Sequence, residues 1–474
     1  MKTLTIGYRL RYTSNQTSLV SDNFQSENGT FLPTFQRYVN TPSDSKGDIF
    51  TTGYTGTSKD KRKEFSLLGI YFLANNSNRY VLSQTDNDLR LYGEDFDSHT
   101  LNRELILQAD YTQSFANRWK WETGGKFYGK YIDSDSQFGI YDRQNRTYQN
   151  DPVRSNVFTY RSEVYALYTN LNFQLSQWQF MTGIRYELTE LNGLFKDVVL
   201  GIPPFQNLLP NLLISRNLNK KTTVKLGYSV KLVRPFYTYL NPTVNNSDSL
   251  TVQSGNPYLQ PEITRRYQLS YARNSARLFT DVALFFNNNQ NSIETIRTPR
   301  TDGIVYTTWQ NVGLNQRIGM SVNLSWKPSP KISLGTTVTV QYVRLASPVM
   351  QLRNSGLMRQ LVLNYSYKLP RSYSLDFYGF FDANTVLLQG YRSGWTYYSL
   401  TFSKKSANER FTVSLRMDTP LTTYTFIDEE IRTDSFSQLQ TSRYQNQNIR
   451  LSLSYKLGKK EIKSPHIRQA ENPD

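Results

Sequence analysis

The chain has 474 residues, no cysteine and only two histidines, His99 and His466, which excludes disulfide scaffolds and thiolate metal sites and leaves little for histidine-based catalysis. Its formal charge is +17, but the basic residues are dispersed rather than gathered on one helical face, which argues against nucleic acid. A mean hydropathy of −0.57 beside 14% aromatic residues suits a transmembrane β-barrel, in which only alternate strand residues face lipid. No run approaches the ~18 apolar residues that a membrane helix needs.

Met1 leads directly into the strand-like KTLTIGYRLRY, without the charged, apolar and cleavage regions of an export signal. The export signal is therefore expected to be missing from this chain. YFLANNSNRYVLSQTD reads as one broken strand or two short ones. The acidic stretch that follows, with Asp86, Asp88, Glu94, Asp95 and Asp97, lacks the spacing and central glycine of an EF-hand and reads as a solvated loop. His99 stands beside Asp97 and Ser98, but adjacent strand residues alternate sides, so neither is expected to orient it for hydrolysis. No catalysis, metal or cofactor is expected.

Beyond residue 100 the alternation strengthens. Glu104, Asp110, Glu122 and Lys126 share faces with small polar residues, as do Lys225, Lys231, Arg450 and Lys456, and all are expected to line a lumen. IGMSVNLSW sets Ile318, Met320, Val322, Leu324 and Trp326 against Gly319, Ser321, Asn323 and Ser325. The same two-faced pattern returns at Val224–Val230, Ile332–Tyr342, Leu361–Tyr367, Phe411–Met417 and Ile449–Leu457. IDEEIRTD, with Asp428, Glu429, Glu430 and Asp434, reads as another solvated loop.

Short linkers such as NLNKK, ARNSAR, KPSPK and KKSANER alternate with long polar ones, the threading of outer-membrane barrels with short periplasmic turns and long extracellular loops. The expected fold is all-β: an antiparallel transmembrane β-barrel over residues 1–457, of about eighteen strands, followed by a polar tail at 458–474. Lys220, Lys221, Lys327, Lys331, Arg371, Lys404 and Lys405 lie in or beside short turns and are expected near lipid headgroups. A soluble sandwich or propeller also alternates, but no blade motif repeats here, and Tyr and Trp recur beside the turns as in interfacial girdles.

Residues 234–262 interrupt this pattern with RPFYTYLNPTVNNSDSLTVQSGNPYLQPE. Arg234, Pro235, Leu240, Asn241, Pro242, Asp248, Gly255, Asn256, Pro257, Leu259, Pro261 and Glu262 resemble a motif of TonB-dependent outer-membrane receptors. They are most similar to the outer-membrane β-barrel family abundant in Bacteroidetes, and the similarity extends over roughly residues 100–460. The resemblance implies a barrel of about 22 strands filled by a plug domain, which contacts TonB and imports iron chelates, glycans or peptides. It also implies outer-membrane lipid and lipopolysaccharide as surroundings, a surface lipoprotein as partner and no nucleic acid. Plug, TonB-contacting segment and about four strands are expected to be missing here, leaving either a receptor barrel that needs a plug-bearing partner or a plugless, porin-like channel.

The motif itself is expected to be a structural clamp at the barrel mouth, on the exterior side, with Glu262 opening the descending strand. Tyr237, Tyr239, Asn245, Asn246, Tyr258 and Trp309 are the candidates for ligand contact, since aromatic rings and amides suit polar ligands.

Overall fold

Period-two alternation builds a wall because successive strand side chains point to opposite faces. The computed structural model describes residues 1–27, 30–86, 89–115, 118–196, 198–244, 251–300, 304–434 and 436–457. The predicted tail at 458–474 lies outside them.

Among the described residues eighteen wall strands follow one another in chain order. They are β1 (Lys2–Glu27), β2 (Thr30–Thr57), β3 (Lys63–Asp86), β4 (Leu89–Phe115), β5 (Trp119–Asp142) and β6 (Asn156–Leu175). Next come β7 (Trp178–Phe195), β8 (Phe205–Asn219), β9 (Thr222–Val233), β10 (Glu262–Asn274), β11 (Leu278–Pro299) and β12 (Val305–Ser329). The wall ends with β13 (Ile332–Ser347), β14 (Leu352–Leu369), β15 (Tyr373–Asp382), β16 (Thr396–Lys405), β17 (Phe411–Asp418) and β18 (Asn448–Tyr455). Each is antiparallel to the next. Among the described residues β1 pairs only with β2, and β18 only with β17.

Near the short turns the outer face is apolar: Phe65, Leu67, Leu107, Leu167, Leu226, Leu284, Ile318 and Met320 are all exposed. The opposite face holds buried Thr112, Lys126 and Ser270. Lys130 Nζ lies 3.7 Å from Glu104, and Gln108 donates to Asp110 at 3.0 Å, so these carboxylates are partnered inside the wall. At the short-turn rim Trp119, Phe173 and Phe180 stack in succession, with centroids 4.6 and 4.8 Å apart, and the Lys404 ammonium lies 3.8 Å from the centre of the Tyr373 ring. Such rings and cations match a membrane interface, where one end of the side chain is apolar and the other wet.

The first five strands are far taller than the ~10 residues a bilayer crossing uses, at 24 to 28 residues each. This corrects two expectations. YFLANNSNRYVLSQTD is continuous strand within β3; of the acidic stretch, Asp88 lies outside the described residues, and Glu94, Asp95 and Asp97 belong to the rise of β4 rather than to a loop. Glu94 is fully buried, accepting from Arg154 Nη1 at 2.6 Å and from the Tyr80 hydroxyl at 2.9 Å. Above the bilayer the pattern inverts: Tyr80, Leu82, Phe138, Phe158 and Tyr160 bury their rings and methyls inward, while Arg79 and His99 face water.

His99 needs a related correction. Residues two apart on a strand share a face, and Asp97 Oδ1 lies 3.5 Å from His99 Nε2. Ser98 points the other way and is buried against Ser134 and Ser136, so the three do not converge.

Candidate functional site

Two features stand at the long-loop end of the wall. One is the predicted segment between β9 and β10. The other is a chamber that no sequence motif announced.

The segment folds inward. Arg234 is buried and its Nη2 donates to Glu187 Oε2 at 2.6 Å and Thr189 Oγ1 at 3.0 Å, both on β7. After buried Pro235 comes a single helical turn, Tyr237–Leu240, which delivers Leu240 into an apolar cluster with Ile132, Phe158, Tyr160 and Leu191. Leu259 enters the same cluster from the far end of the segment, and neither leucine retains more than 1% of its surface. These two anchors hold an otherwise polar, proline-rich stretch against the wall, since burying a leucine contributes about 1.5–3 kcal/mol.

Backbone bonds draw the two ends together. Asn241 Oδ1 accepts from the Thr243 amide at 3.0 Å, and the Pro242 carbonyl accepts from Ser254 Oγ at 2.9 Å. The Gly255 amide donates to the Asn241 carbonyl at 3.0 Å, and the Asn256 amide to the Tyr239 carbonyl at 2.6 Å. A Cβ on residue 255 would stand 2.3 Å from the Asn241 oxygen, so only glycine allows this approach. Asn256 bridges outward, its Nδ2 donating to the Trp309 carbonyl at 3.0 Å and its Oδ1 accepting from Tyr258 N at 3.0 Å, where Pro257 and Tyr258 turn the chain. The Pro261 carbonyl accepts from Asn291 Nδ2 at 3.4 Å.

Glu262 opens β10, as expected, and reaches across to β11. Its carboxylate accepts from Asn289 Nδ2 at 2.9 Å and from the Ile293 amide at 2.5 Å, capping the bulge at Gln290–Ser292. The motif side chains just described thus make their contacts within the segment or with the adjoining strands.

Of the ligand-contact candidates, Tyr239 and Trp309 are stacked on each other beside the same apolar cluster, and Tyr258 is exposed. Asn245, Asn246, Asp248 and the side chain of Tyr237 lie outside the described residues.

The chamber lies between the upper ends of β11, β12 and β15 and a second, four-stranded sheet formed by 385–387, 390–392, 424–432 and 437–445. Gln389 fixes that sheet to the wall, its Oε1 accepting from the Arg297 amide at 2.8 Å and its Nε2 donating to the Arg297 carbonyl at 3.0 Å. Val386 and Leu388 pack on Ile296, Val312, Val343 and Leu345 beneath it. IDEEIRTD belongs largely to the sheet rather than to a solvated loop, because Glu429 forms an ion pair with Arg297 and Ile431 is buried. Sequence reasoning missed this site: its residues come from several separate stretches, and Tyr424–Arg432 shows no clean alternation that would signal a strand.

An apolar outer band, a polar interior and tall strands joined by short turns on one side define an outer-membrane β-barrel. The chain matches the outer membrane protein beta-barrel family over residues 56–455; it belongs to that family and resides in the outer membrane. The fold is similar to that of the ferric citrate transporter FecA in its unliganded form, at TM-score 0.62 and 10% identity over 95% of this chain and 73% of that one. It is similar also to the siderophore receptor PiuA from Acinetobacter baumannii, at TM-score 0.57 and 11% identity over 96% and 79%. The copper transporter OprC aligns at TM-score 0.54 and 13% identity over 94% and 76%. At such identities the likeness is one of fold. No curated protein matches the chain in sequence.

Proposed function

We propose that residues 1–457 form the barrel of a TonB-dependent receptor that imports a scarce ligand, working with a plug domain supplied by its own polypeptide or by a partner. Outer-membrane lipid and lipopolysaccharide surround the wall, and a surface lipoprotein at the mouth is a further partner. The observation that carries the reading is the eighteen-strand wall: a barrel of that size encloses a passage too wide for its own side chains to fill. Such a passage becomes a gated receptor only when a plug fills it; left unfilled it is a porin-like channel. A copper transporter, a ferric citrate transporter and a siderophore receptor of like fold support the same assignment.

The test is uptake in cells that carry the intact locus. Ligand accumulation should fall to background when TonB is deleted or the proton gradient is collapsed. Equal accumulation in de-energised cells, together with steady ion conductance of the refolded chain in planar bilayers, would replace the receptor with an open pore.

A further inference from the structure

We propose that the inner rim of the barrel at its periplasmic end docks an acidic peptide segment, a stretch rich in aspartate and glutamate carried by a periplasmic protein. Such a contact requires only the barrel and its orientation, and is separate from whatever the barrel imports.

The basic residues are dispersed along the chain, but the fold collects them. The short-turn segments 219–223, 273–279, 326–333 and 366–374 hold eight lysines and arginines and no aspartate or glutamate. They join strands that are neighbours from β8 to β15, so they form one arc of the rim. Beyond the arc the charge is mixed: Asp60 stands beside Lys61 and Arg62, Glu122 takes Lys120, and the turn after β16 carries Glu409.

At the middle of the arc Arg277, Lys327, Lys331 and Lys368 surround a cavity of about 560 Å³, whose lining includes Ser333 and Ser366. All four cations are exposed, and none has an ion-pair partner among the described residues. Strand register gives their direction. Ser333 pairs with Ser366 and Phe279 with Ser325, on the face opposite Trp326 and Tyr367. Each cation stands two residues from one of these four and so shares the inner face. Asp281 and Asp376 lie on that face one or two steps further in, opposite Asn323 and Ser366, and neither forms an ion pair with the cluster.

The cluster is held in place by its turns. The Lys327 amide donates to the Arg277 carbonyl at 2.7 Å, the Lys368 amide to the Lys331 carbonyl at 2.8 Å, and the Lys331 amide to Ser329 Oγ at 3.3 Å. Pro328 and Pro330 fix the backbone between the two lysines.

Charge and spacing then select the partner. Four like charges around one cavity repel one another, and anions placed among them relieve that repulsion. The cations come from four adjacent strands spaced ~4.8 Å apart, so they spread over roughly 15 Å, the length of about five extended residues. A row of carboxylates on an extended peptide matches that spread, whereas a lone phosphate reaches only part of it. The Ser333 and Ser366 hydroxyls add donors for carboxylate oxygens. Lipid phosphate is the other anion at this height, but it lies against the outer face. There Lys404 sits over the Tyr373 ring and donates to the Arg371 carbonyl at 2.5 Å. The four inner cations face away from lipid, toward a chain entering the mouth.

The experiment uses the full chain refolded in detergent and fluorescein-labelled hexaglutamate, followed by anisotropy. Hexaserine, inorganic phosphate and dihexanoyl phosphatidylglycerol serve as competitors. Hexaglutamate should bind saturably, about ten-fold more tightly at about 50 mM than at about 300 mM salt, because exposed charges are screened. Lys327→Gln and Lys331→Gln should each weaken it by about two- to five-fold, and the double change Lys331→Glu/Lys368→Glu by about ten-fold or more. Lys404→Gln, on the outer face, should leave it unchanged. Unchanged heat-modifiable migration on gels shows that each variant is folded; if the charge-reversed pair fails this check, Lys331→Gln/Lys368→Gln replaces it. The proposal is overturned if hexaglutamate does not bind, if the double variant binds it as tightly as the parent, or if hexaserine or phosphate displaces it as readily as unlabelled hexaglutamate. Displacement by the phosphatidylglycerol at lower concentration than by unlabelled hexaglutamate would also overturn it, and would give the cluster to lipid phosphate.

Discussion

The ring of Tyr239 lies flat against the indole of Trp309, with centroids 4.5 Å apart and planes inclined by 18°. This contact joins the inward-folded segment to β12, and the Asn256–Trp309 hydrogen bond reinforces it from the other end of the segment. Loss of the stack should cost about 0.5–1.5 kcal/mol beyond the area it buries. Tyr239→Ala should therefore speed amide exchange in residues 234–262 while β9 and β10 keep their protection. Equal deprotection of the flanking strands would show that the ring supports the wall instead.

Arg234 is the deeper anchor. Breaking a buried ion pair by removing one partner costs about 3–5 kcal/mol when the other charge is left alone; Glu187 keeps Arg185 Nε at 2.5 Å, so the cost here should fall below that range. Arg234→Ala should lower the urea midpoint of the refolded barrel, whereas the pair Arg234→Met/Glu187→Leu should recover part of the loss, since it also unpairs Arg185. Urea unfolding of the two variants checks this, and a double variant no more stable than the single one would refute it.

Gly255→Ala tests backbone approach rather than side-chain chemistry. The added methyl would meet the Asn241 and Tyr239 carbonyls at 2.3 and 2.7 Å, which the segment accommodates only by opening. The expected cost is about 1–3 kcal/mol. Limited proteolysis should then cut between residues 234 and 262 in the variant and spare the parent.

The Glu94 node predicts an alkaline transition. Tyr92 lies above the bilayer, and burial, then its hydrogen bond to Glu94, pushes its hydroxyl up to about 12. A pKa raised on folding contributes stability that is complete below the ordinary tyrosine value near ~10 and is lost as pH climbs through the raised value. Ultraviolet titration of tyrosinate should show this late ionisation in the parent chain. In Glu94→Gln it should move part of the way back, since burial remains.

Leu284 and Phe285 test the two faces of β11. Leu284 is exposed on the lipid side at 52%, and its neighbour Phe285 is buried inside under the Arg266 guanidinium. Leu284→Arg should destabilise insertion by about 2–4 kcal/mol if the site lies near the bilayer midplane. Folding yield in lipid vesicles, compared with yield in detergent, measures it.

How much of this was legible in advance depended on where lipid lies. Ile318, Met320 and Trp326 could be read from sequence because a hydrocarbon surround demands apolar groups at every second position. Residues 79–99 could not, because above the bilayer the outer face meets water, and alternation between polar and partly polar residues no longer stands out. The motif at 234–262 was legible as a unit since prolines and Gly255 fix backbone angles locally. The chamber was not: Arg297, Asp382, Trp395 and Glu429 are brought together by strand register and by the docking of a second sheet, neither of which leaves a local signature.

Among the described residues β1 and β18 are each paired on one side, and this governs how the molecule is put together. An amide facing hydrocarbon without an acceptor costs several kcal/mol, so an open sheet cannot persist in the bilayer. Before insertion the same two margins are templates for fibrous association with any neighbouring strand. The interior strands can zip by near-neighbour hairpins, each formed locally and in order along the chain. The seam is then the last step of assembly, and whatever strand occupies it sets the final girth of the barrel.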